Sequence, residues 1–153
     1  PLLNRKLITK AFLWYGMLGS AVSAFSYFFV NFLYGWPNVP LAATGDPVYV
    51  KATAMTLAAI VFAQVGAVHN CRTEKQSIFK VGIFSNKQIN FGIIIELILI
   101  VALVYLPPLQ AIFHTASFKW SDWLLLSVWP FLILLIEEAR KAIMRKKAHD
   151  INQ

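Results

Sequence analysis

Four apolar segments of membrane length constrain the fold of this chain more than any other feature. They span roughly Ile8–Phe32, Ala52–His69, Ile89–Leu106 and Trp120–Ile136. A helix needs about 20 mostly apolar residues to cross a bilayer. Only 14% of the residues are charged, against about 25% in soluble domains. We predict an all-α polytopic membrane protein that forms a single membrane domain over residues 1–153. Its four transmembrane helices are expected at about 8–32, 52–69, 89–106 and 120–139, with a tail at 140–153.

Residues that break helices lie between these segments. Tyr34–Val50 is rich in Pro and Gly and is predicted to be a loop. Pro107 and Pro108 should end the third helix, because proline supplies no N–H and restricts the residue before it.

Basic residues lie almost entirely on one side of the predicted membrane. Twelve of the 14 Lys and Arg residues flank the ends that share this side, and only Lys51 and Lys119 lie opposite. The positive-inside rule therefore predicts two hairpins with both termini in the cytoplasm and outer loops at about 33–51 and 107–119. Because the basic residues form short blocks between apolar runs, the net charge of +7 favours a membrane surface and argues against a nucleic-acid partner. The outer borders carry aromatic residues typical of a membrane interface: Tyr34, Trp36, Tyr105, Trp120 and Trp123.

Small residues recur every four positions in the first two helices. Gly16, Ser20 and Ala24 do so in the first, and the second repeats the pattern with alanines at 59, 63 and 67. Such stripes let helix backbones approach closely in lipid, so both are predicted to be packing surfaces.

Two polar residues lie near the middle of predicted membrane helices. Gln64 either bonds a neighbouring helix or offers its carbonyl oxygen to a hard cation, which prefers oxygen ligands. Glu96 is the single charged residue of Asn90–Leu106, and a charge at mid-membrane costs roughly 2.5–3.5 kcal/mol on insertion scales. Three roles fit Glu96: a protonated, hydrogen-bonded side chain, the partner of a basic group elsewhere, or a ligand or relay for a cation or proton.

Polar residues at the cytoplasmic ends are expected to be structural. Glu137 stands three and four residues before Arg140 and Lys141, a spacing that predicts ion pairs on a solvated helix end. His69 and Asn70 are expected where water reaches them, and Cys71 is read as an incidental thiol that has no partner for an internal disulfide.

The sequence contains no motif for nucleotide hydrolysis. A Gly-rich loop ending in Lys-Ser/Thr is absent, as are paired His/Cys metal spacings and a Ser/His/Asp set. We therefore predict no catalytic residue, no cofactor and no nucleotide binding in this chain.

Four stretches that cover nearly the whole chain carry a resemblance to a known family: PLLNRKLITKAFLWYG, ATAMTLAAIVFAQVGAVHNCRTEKQSIFKVGIFSNK, ILIVALVYLPPLQAIFHT and WSDWLLLSVWPFLILLIEEARKAIMRKK. The first two resemble the start of the seventh transmembrane segment, and the eighth segment with its cytoplasmic loop, of type II P-type cation-transporting ATPases. The last two resemble that family's ninth segment with its outer loop, and its tenth segment with the tail. The resemblance implies the C-terminal part of an ATP-driven cation pump that uses ATP and Mg²⁺ elsewhere in the protein. Its partners would be the lipid bilayer, the remaining helices and cytoplasmic domains of the pump, and the transported cation.

Two positions match ion ligands of that family. Gln64 corresponds to an eighth-segment ligand that is Glu in reticulum calcium pumps and Gln in sodium/potassium pumps. Glu96 corresponds to a ninth-segment Glu that contributes to a sodium site in the latter, whereas Ala67 replaces an Asp of that site. The resemblance thus implies a partial cation site at Gln64 and Glu96, with sodium-type ligands in a chain whose loops are more like those of bacterial calcium-type pumps.

An alternative remains, in which the chain is a stand-alone four-helix membrane transporter or a structural membrane subunit. The sequence begins with Pro1 and not Met, which favours a piece of a longer pump. The ion itself is left open between calcium, sodium, potassium, manganese and protons.

Overall fold

The computed structural model describes residues 9–73 and 76–150, apart from the side chains of residues 10–12 and 148–150. The predicted helix start at Ile8, the basic residues Arg5, Lys6 and Lys75, and the end of the tail lie outside the described residues. Within the described ranges, all regular structure is helical. The elements are a π-helical segment Lys10–Tyr15, α1 Gly16–Leu33, α2 Pro47–Cys71, α3 Ile78–Val81, a 3₁₀ turn Ile83–Ser85, α4 Lys87–Tyr105, α5 Pro107–Phe113 and α6 Trp120–Asp150.

Four of these helices are long and apolar enough to cross a membrane. The candidate spans are Leu13–Leu33, Pro47–Cys71, Lys87–Tyr105 and Trp120–Lys147. The prediction of an all-helical chain with four membrane-length helices is therefore confirmed.

The second membrane helix begins earlier than predicted, at Pro47, because its first residues suit a helix start. The Asp46 carboxylate accepts a hydrogen bond from the Val48 amide at 2.7 Å and caps the helix. Proline is favoured at the first helical position, where its missing N–H would have no partner anyway. The last four residues of the predicted loop are thus helical.

The third membrane helix ends where the two prolines predicted. Pro107 and Pro108 have no N–H to donate to the last carbonyl groups of this helix. Side chains from the following segment donate to these carbonyls instead. The Gln110 amide donates to the Val104 carbonyl, and the Thr115 hydroxyl donates to the Leu103 carbonyl. The sequence did not predict the short helix α5, which brings Gln110 back over the end of α4.

Helix α2 lies at the centre of the bundle and packs against both α1 and α6. It approaches α6 closely at Gly66, where an added Cβ would lie 2.7 Å from the Pro130 carbonyl oxygen. Helix α4 packs against α2 as well, and its buried residues lie near its C-terminal end: Ile100, Leu103 and Val104.

The predicted packing stripe of the first helix is wrong for the described chain. Gly16, Ser20 and Ala24 are exposed, and an added Cβ at Gly16 would meet nothing within 4 Å. Helix α1 instead buries Val22, Val30 and a serine between them whose hydroxyl bonds its own helix backbone. The alanine stripe of α2 does pack, since Ala59 and Ala63 are buried.

Candidate functional site

Gln64 lies on the exposed face of α2, beside a cleft between α1 and α2. The cleft has a volume of about 350 Å³. Its walls include Gly19, Ser20 and Ser23 of α1, together with Ile60 and Gln64 of α2. The small side chains of α1 leave this space open. Gly16 and Ser20, two residues of the stripe predicted to pack, line the cleft. No hydrogen bond to the Gln64 side chain is formed within the described residues.

Glu96 lies on α4 one turn before Ile100 and two turns before Leu103, both of which are buried. At helical spacing these three residues share one face, so Glu96 lies on the side of α4 that faces the bundle. The side chain is half-buried and forms no hydrogen bond or ion pair among the described residues. The N-terminal half of α4, from which it projects, is otherwise largely exposed.

The described residues do not bring Gln64 and Glu96 into one site. The cleft beside Gln64 is lined by α1, α2 and α6 residues, with Tyr15 at one end, and by none from α4. Ala67, where the resemblance expects an Asp, lines the same cleft. No group of three or more His, Cys, Asp or Glu side chains that could hold a metal occurs in the described part of the chain. Any cation site that uses both residues would therefore need ligands beyond the described residues.

A buried charged cluster at the basic end of the bundle was missed by the sequence analysis. Glu137 is fully buried, and it accepts hydrogen bonds from the Trp14 indole at 2.9 Å and from Arg140. The Arg140 guanidinium donates to both carboxylate oxygens, at 2.8 and 2.6 Å. The spacing had correctly indicated this ion pair, but the expectation of a solvated helix end is wrong for Glu137. The side chain is enclosed because the π-helical segment brings Trp14 against α6.

Lys141 forms the second half of this cluster. Its side chain is 0% exposed, and its ammonium donates to the Thr73 hydroxyl at 2.8 Å and to the Asn70 side-chain oxygen at 3.2 Å. It also lies 3.4 Å from the Glu138 carboxylate, which accepts the Ile78 amide hydrogen at 2.9 Å. The expectation that water reaches His69 and Asn70 is wrong, because both side chains are buried and Asn70 lies under Lys141. Together these contacts join the end of α2, the start of α3 and α6.

One sequence signal could have revealed the cluster. Two adjacent acids and two adjacent bases at helical spacing directly follow an apolar run, so one acid–base pair must face the same side as the apolar core. Lys141 cannot reach water from that side, and it needs oxygen partners from other helices.

The opposite end of the bundle holds a further ion pair. Lys51 of α2 lies 2.9 Å from Asp122 of α6, and both side chains are mostly buried. The Asp122 carboxylate also accepts the backbone amide hydrogen of Lys119 at 2.7 Å, which caps the start of α6. One of the two basic residues on the predicted outer side is therefore neutralised by an acid.

Comparison with known proteins identifies the same part of one protein family throughout. Residues 1–143 match the family model described as cation transporting ATPase, C-terminus. Over 105 residues the chain is 34% identical to calcium-transporting ATPase 1 of Saccharomyces cerevisiae, an alignment that covers 69% of this chain and 11% of that protein. Over 140 residues it is 27% identical to calcium-transporting ATPase type 2C member 2 of Mus musculus, covering 92% of this chain and 14% of that protein. Over 85 residues it is 34% identical to calcium-transporting ATPase 1 of Bacillus cereus, covering 54% of this chain and 10% of that protein. The chain thus spans about a seventh or less of the length of these relatives.

Proposed function

Since this chain belongs to the C-terminal family of cation-transporting ATPases, we propose that it is the last membrane section of an ATP-driven cation pump. In this role it scaffolds the transport path and contributes Gln64 and Glu96 to it. The relatives named above are calcium-transporting ATPases, so a calcium-type pump is the first candidate. ATP and Mg²⁺ would bind to parts of the pump outside this chain, because no phosphate-binding loop occurs here.

The observation that carries the transport role is the position of the two polar side chains. Gln64 faces an open cleft, and Glu96 lies on the inner face of α4 without a partner among the described residues. A carboxylate at membrane depth is costly unless it meets a cation, a proton or a hydrogen-bond partner. Further helices of the pump that fill these spaces would supply the remaining ligands, and the cation itself is the transported substrate.

The neutral amide of Gln64 affects which ion the pump is expected to carry and how many ions it carries per cycle. Each carboxylate in a site adds charge that raises the affinity for divalent ions, whereas an amide oxygen adds only a dipole. We therefore expect the pump to carry at most one calcium ion per cycle, or a monovalent ion. A measured stoichiometry of two calcium ions per ATP would contradict this part of the proposal.

ATPase activity of the full-length protein tests the proposal. Activity should depend on one member of a panel of sodium, potassium, calcium, manganese and protons. Glu96→Gln and Gln64→Ala should shift the concentration of that ion required for half-maximal activity, with near-normal expression. Gln88→Ala is the matched control, because Gln88 is an exposed amide at the start of α4. If both site variants behave like this control at every ion concentration and pH, Gln64 and Glu96 are structural.

The stand-alone alternative has its own test. The reading frame upstream of Pro1 should encode an Asp-Lys-Thr-Gly phosphorylation motif if the chain is part of a pump. A start codon directly before Pro1, with no pump sequence upstream, would overturn the proposal.

A further inference from the structure

The segment that joins α2 to α4 carries the most exposed large apolar side chain of the described residues. Phe84 is 80% exposed, and Phe91 at the start of α4 is 65% exposed. Asn90 connects the two, because it directly precedes Phe91 and its side-chain amide donates a hydrogen bond to the Phe84 carbonyl at 3.0 Å. Contiguous exposed apolar surface of this kind marks a contact with a protein or with a membrane.

Side chains from both neighbouring helices hold the turn around Phe84 in place. Arg72, the residue directly after α2, donates hydrogen bonds to the carbonyls of Gly82 and Ile83 at 3.2 and 3.0 Å. Asn90 holds the Phe84 carbonyl from the side of α4. The exposure of the Phe84 ring is therefore a property of a turn that is fixed at both ends.

The same hydrogen bonds place this turn at the boundary of the bilayer. Arg72 follows the last residue of the candidate span Pro47–Cys71, and Asn90 lies in the first turn of the candidate span Lys87–Tyr105. One helical turn rises about 5.4 Å, so the Phe84 carbonyl lies within roughly that distance of the start of the second span. Apolar rings at this level lie at the boundary between lipid headgroups and acyl chains.

The turn also continues an exposed apolar face of α4. Ile94 and Ile98 follow Asn90 at intervals of four residues, and they are 54% and 63% exposed. Residues four apart share one face of a helix, so Phe84 extends this face beyond the start of the helix. Lys87, the first residue of α4, is exposed as well, and a lysine there can lay its apolar stem along the same surface with its ammonium in water. A face that passes from a lysine to apolar side chains along a membrane-length helix fits lipid.

We propose that the turn around Phe84 is an interfacial anchor, in which the Phe84 ring inserts into the bilayer at the boundary between headgroups and acyl chains. Arg72 and Asn90 hold the ring in this position. The partner is the phospholipid bilayer, and the contact needs no particular headgroup charge because the inserted ring is neutral. Since the turn is bonded to the end of α2 and to the start of α4, the anchor ties both helix ends to one depth in the bilayer.

Photocrosslinking of the full-length protein in phosphatidylcholine vesicles tests the proposal. Phe84→p-benzoylphenylalanine places a photoreactive aromatic ring at a position that is already exposed, so the packing of the bundle is preserved. Adducts formed at position 84 on illumination are identified by mass spectrometry. We expect most of them to carry a phospholipid acyl chain, at a yield several-fold above that of Lys147→p-benzoylphenylalanine, which lies at an exposed position near the end of α6.

Two results would overturn the anchor. A lipid yield at position 84 no higher than at position 147 would mean that the ring lies in water. Adducts formed mainly with protein would assign the surface to another part of the pump or to a partner protein. Neither readout depends on ion transport, so failure here leaves the proposed pump function untouched.

A second pair of variants tests whether Arg72 positions the ring. Arg72→Gln, combined with the photoreactive residue at position 84, should lower the lipid yield several-fold, because the turn loses the donor to the Gly82 and Ile83 carbonyls. Lys80→Gln, which removes an exposed base from the same segment, should leave the yield unchanged. An unchanged yield in Arg72→Gln, or equal losses in both variants, would contradict the positioning role of Arg72.

Discussion

Polar residues in the membrane part of this chain fall into two groups that differ in their partners. Glu137, Lys141 and Asp122 are buried, and each is joined to an opposite charge or to several hydrogen-bond partners. Gln64 and Glu96 have no such partner among the described residues. Because an unpaired buried charge is costly, the first group should determine stability, whereas the second is available to an ion or to another helix.

Replacing Lys141 tests the role of the first group. Lys141→Met keeps the length of the side chain but leaves the Asn70 oxygen and the Glu138 carboxylate without their shared donor. We expect a loss of about 3 kcal/mol in the free energy of unfolding, since breaking a buried pair leaves an uncompensated charge. Unfolding by denaturant in detergent micelles, followed by tryptophan fluorescence, measures this. Lys147→Met, at an exposed position on the same helix, should change stability by less than about 0.5 kcal/mol; equal effects would mean that the Lys141 contacts contribute nothing.

How far the sequence predicts individual residues depends on where they lie. Glu96 and Gln64 stand out because each interrupts an apolar run, and hydrophobicity alone identifies them. Lys141 looks like any base on a helix end. Its burial results from the end of α2 packing over α6 and supplying Asn70 and Thr73, contacts that lie about 70 positions away in sequence. Long-range packing of this kind leaves no local pattern.

At the level of helices, the length of an apolar run predicts that a membrane helix exists, whereas capping residues and prolines determine where that helix begins and ends. The four membrane-length helices follow directly from the hydrophobic runs, and Pro107 ends α4 as expected. The start of α2 at Pro47 depends on the Asp46 cap, and α5 depends on side chains that return to the carbonyls of α4. If every proline is taken to end a helix, the start of α2 at Pro47 and the whole of α5 are missed, because proline also suits the first turn of a helix.

The contact between α2 and α6 gives a test at this scale. Gly66→Ala places a Cβ within 2.7 Å of the Pro130 carbonyl oxygen, and the two helices must separate to accept it. Overpacking of this kind costs about 1–3 kcal/mol, so the midpoint of thermal unfolding in detergent should fall. Gly92→Ala is the control, since an added Cβ there meets nothing within 4 Å and alanine favours the helix. A Gly66→Ala protein as stable as Gly92→Ala would show that the helices do not approach this closely.

For the molecule as a whole, the small-residue stripe of α1 predicts a packing surface but does not identify the helix that packs against it. The pattern at Gly16, Ser20 and Ala24 predicts close helix packing, yet all three residues stay exposed in the described bundle. Gly16 and Ser20 line the cleft beside Gln64. The chain covers only 10–14% of the relatives reported above. An exposed packing surface on α1 is consistent with our proposal that more membrane helices belong to the pump, because one of those helices could pack against it.

The orientation of the bundle follows from charge and can be measured directly. Twelve of the 14 Lys and Arg residues lie on one predicted side, and the outer Lys51 is neutralised by Asp122. The positive-inside rule therefore predicts that the end of α6 lies in the cytoplasm and the loop before α2 lies outside. In a full-length protein whose native cysteines are replaced by serine, Lys147→Cys should react with a membrane-impermeant maleimide only from the cytoplasmic side, and Thr44→Cys only from the other. Leu99→Cys, at an exposed position within the membrane-length helix α4, should react from neither side if α4 crosses the membrane, because the thiolate does not form in hydrocarbon. Labelling of both Lys147→Cys and Thr44→Cys from the same side would require an even number of membrane crossings between positions 44 and 147. The four-span topology has three crossings there (α2, α4 and α6), so it would then be wrong.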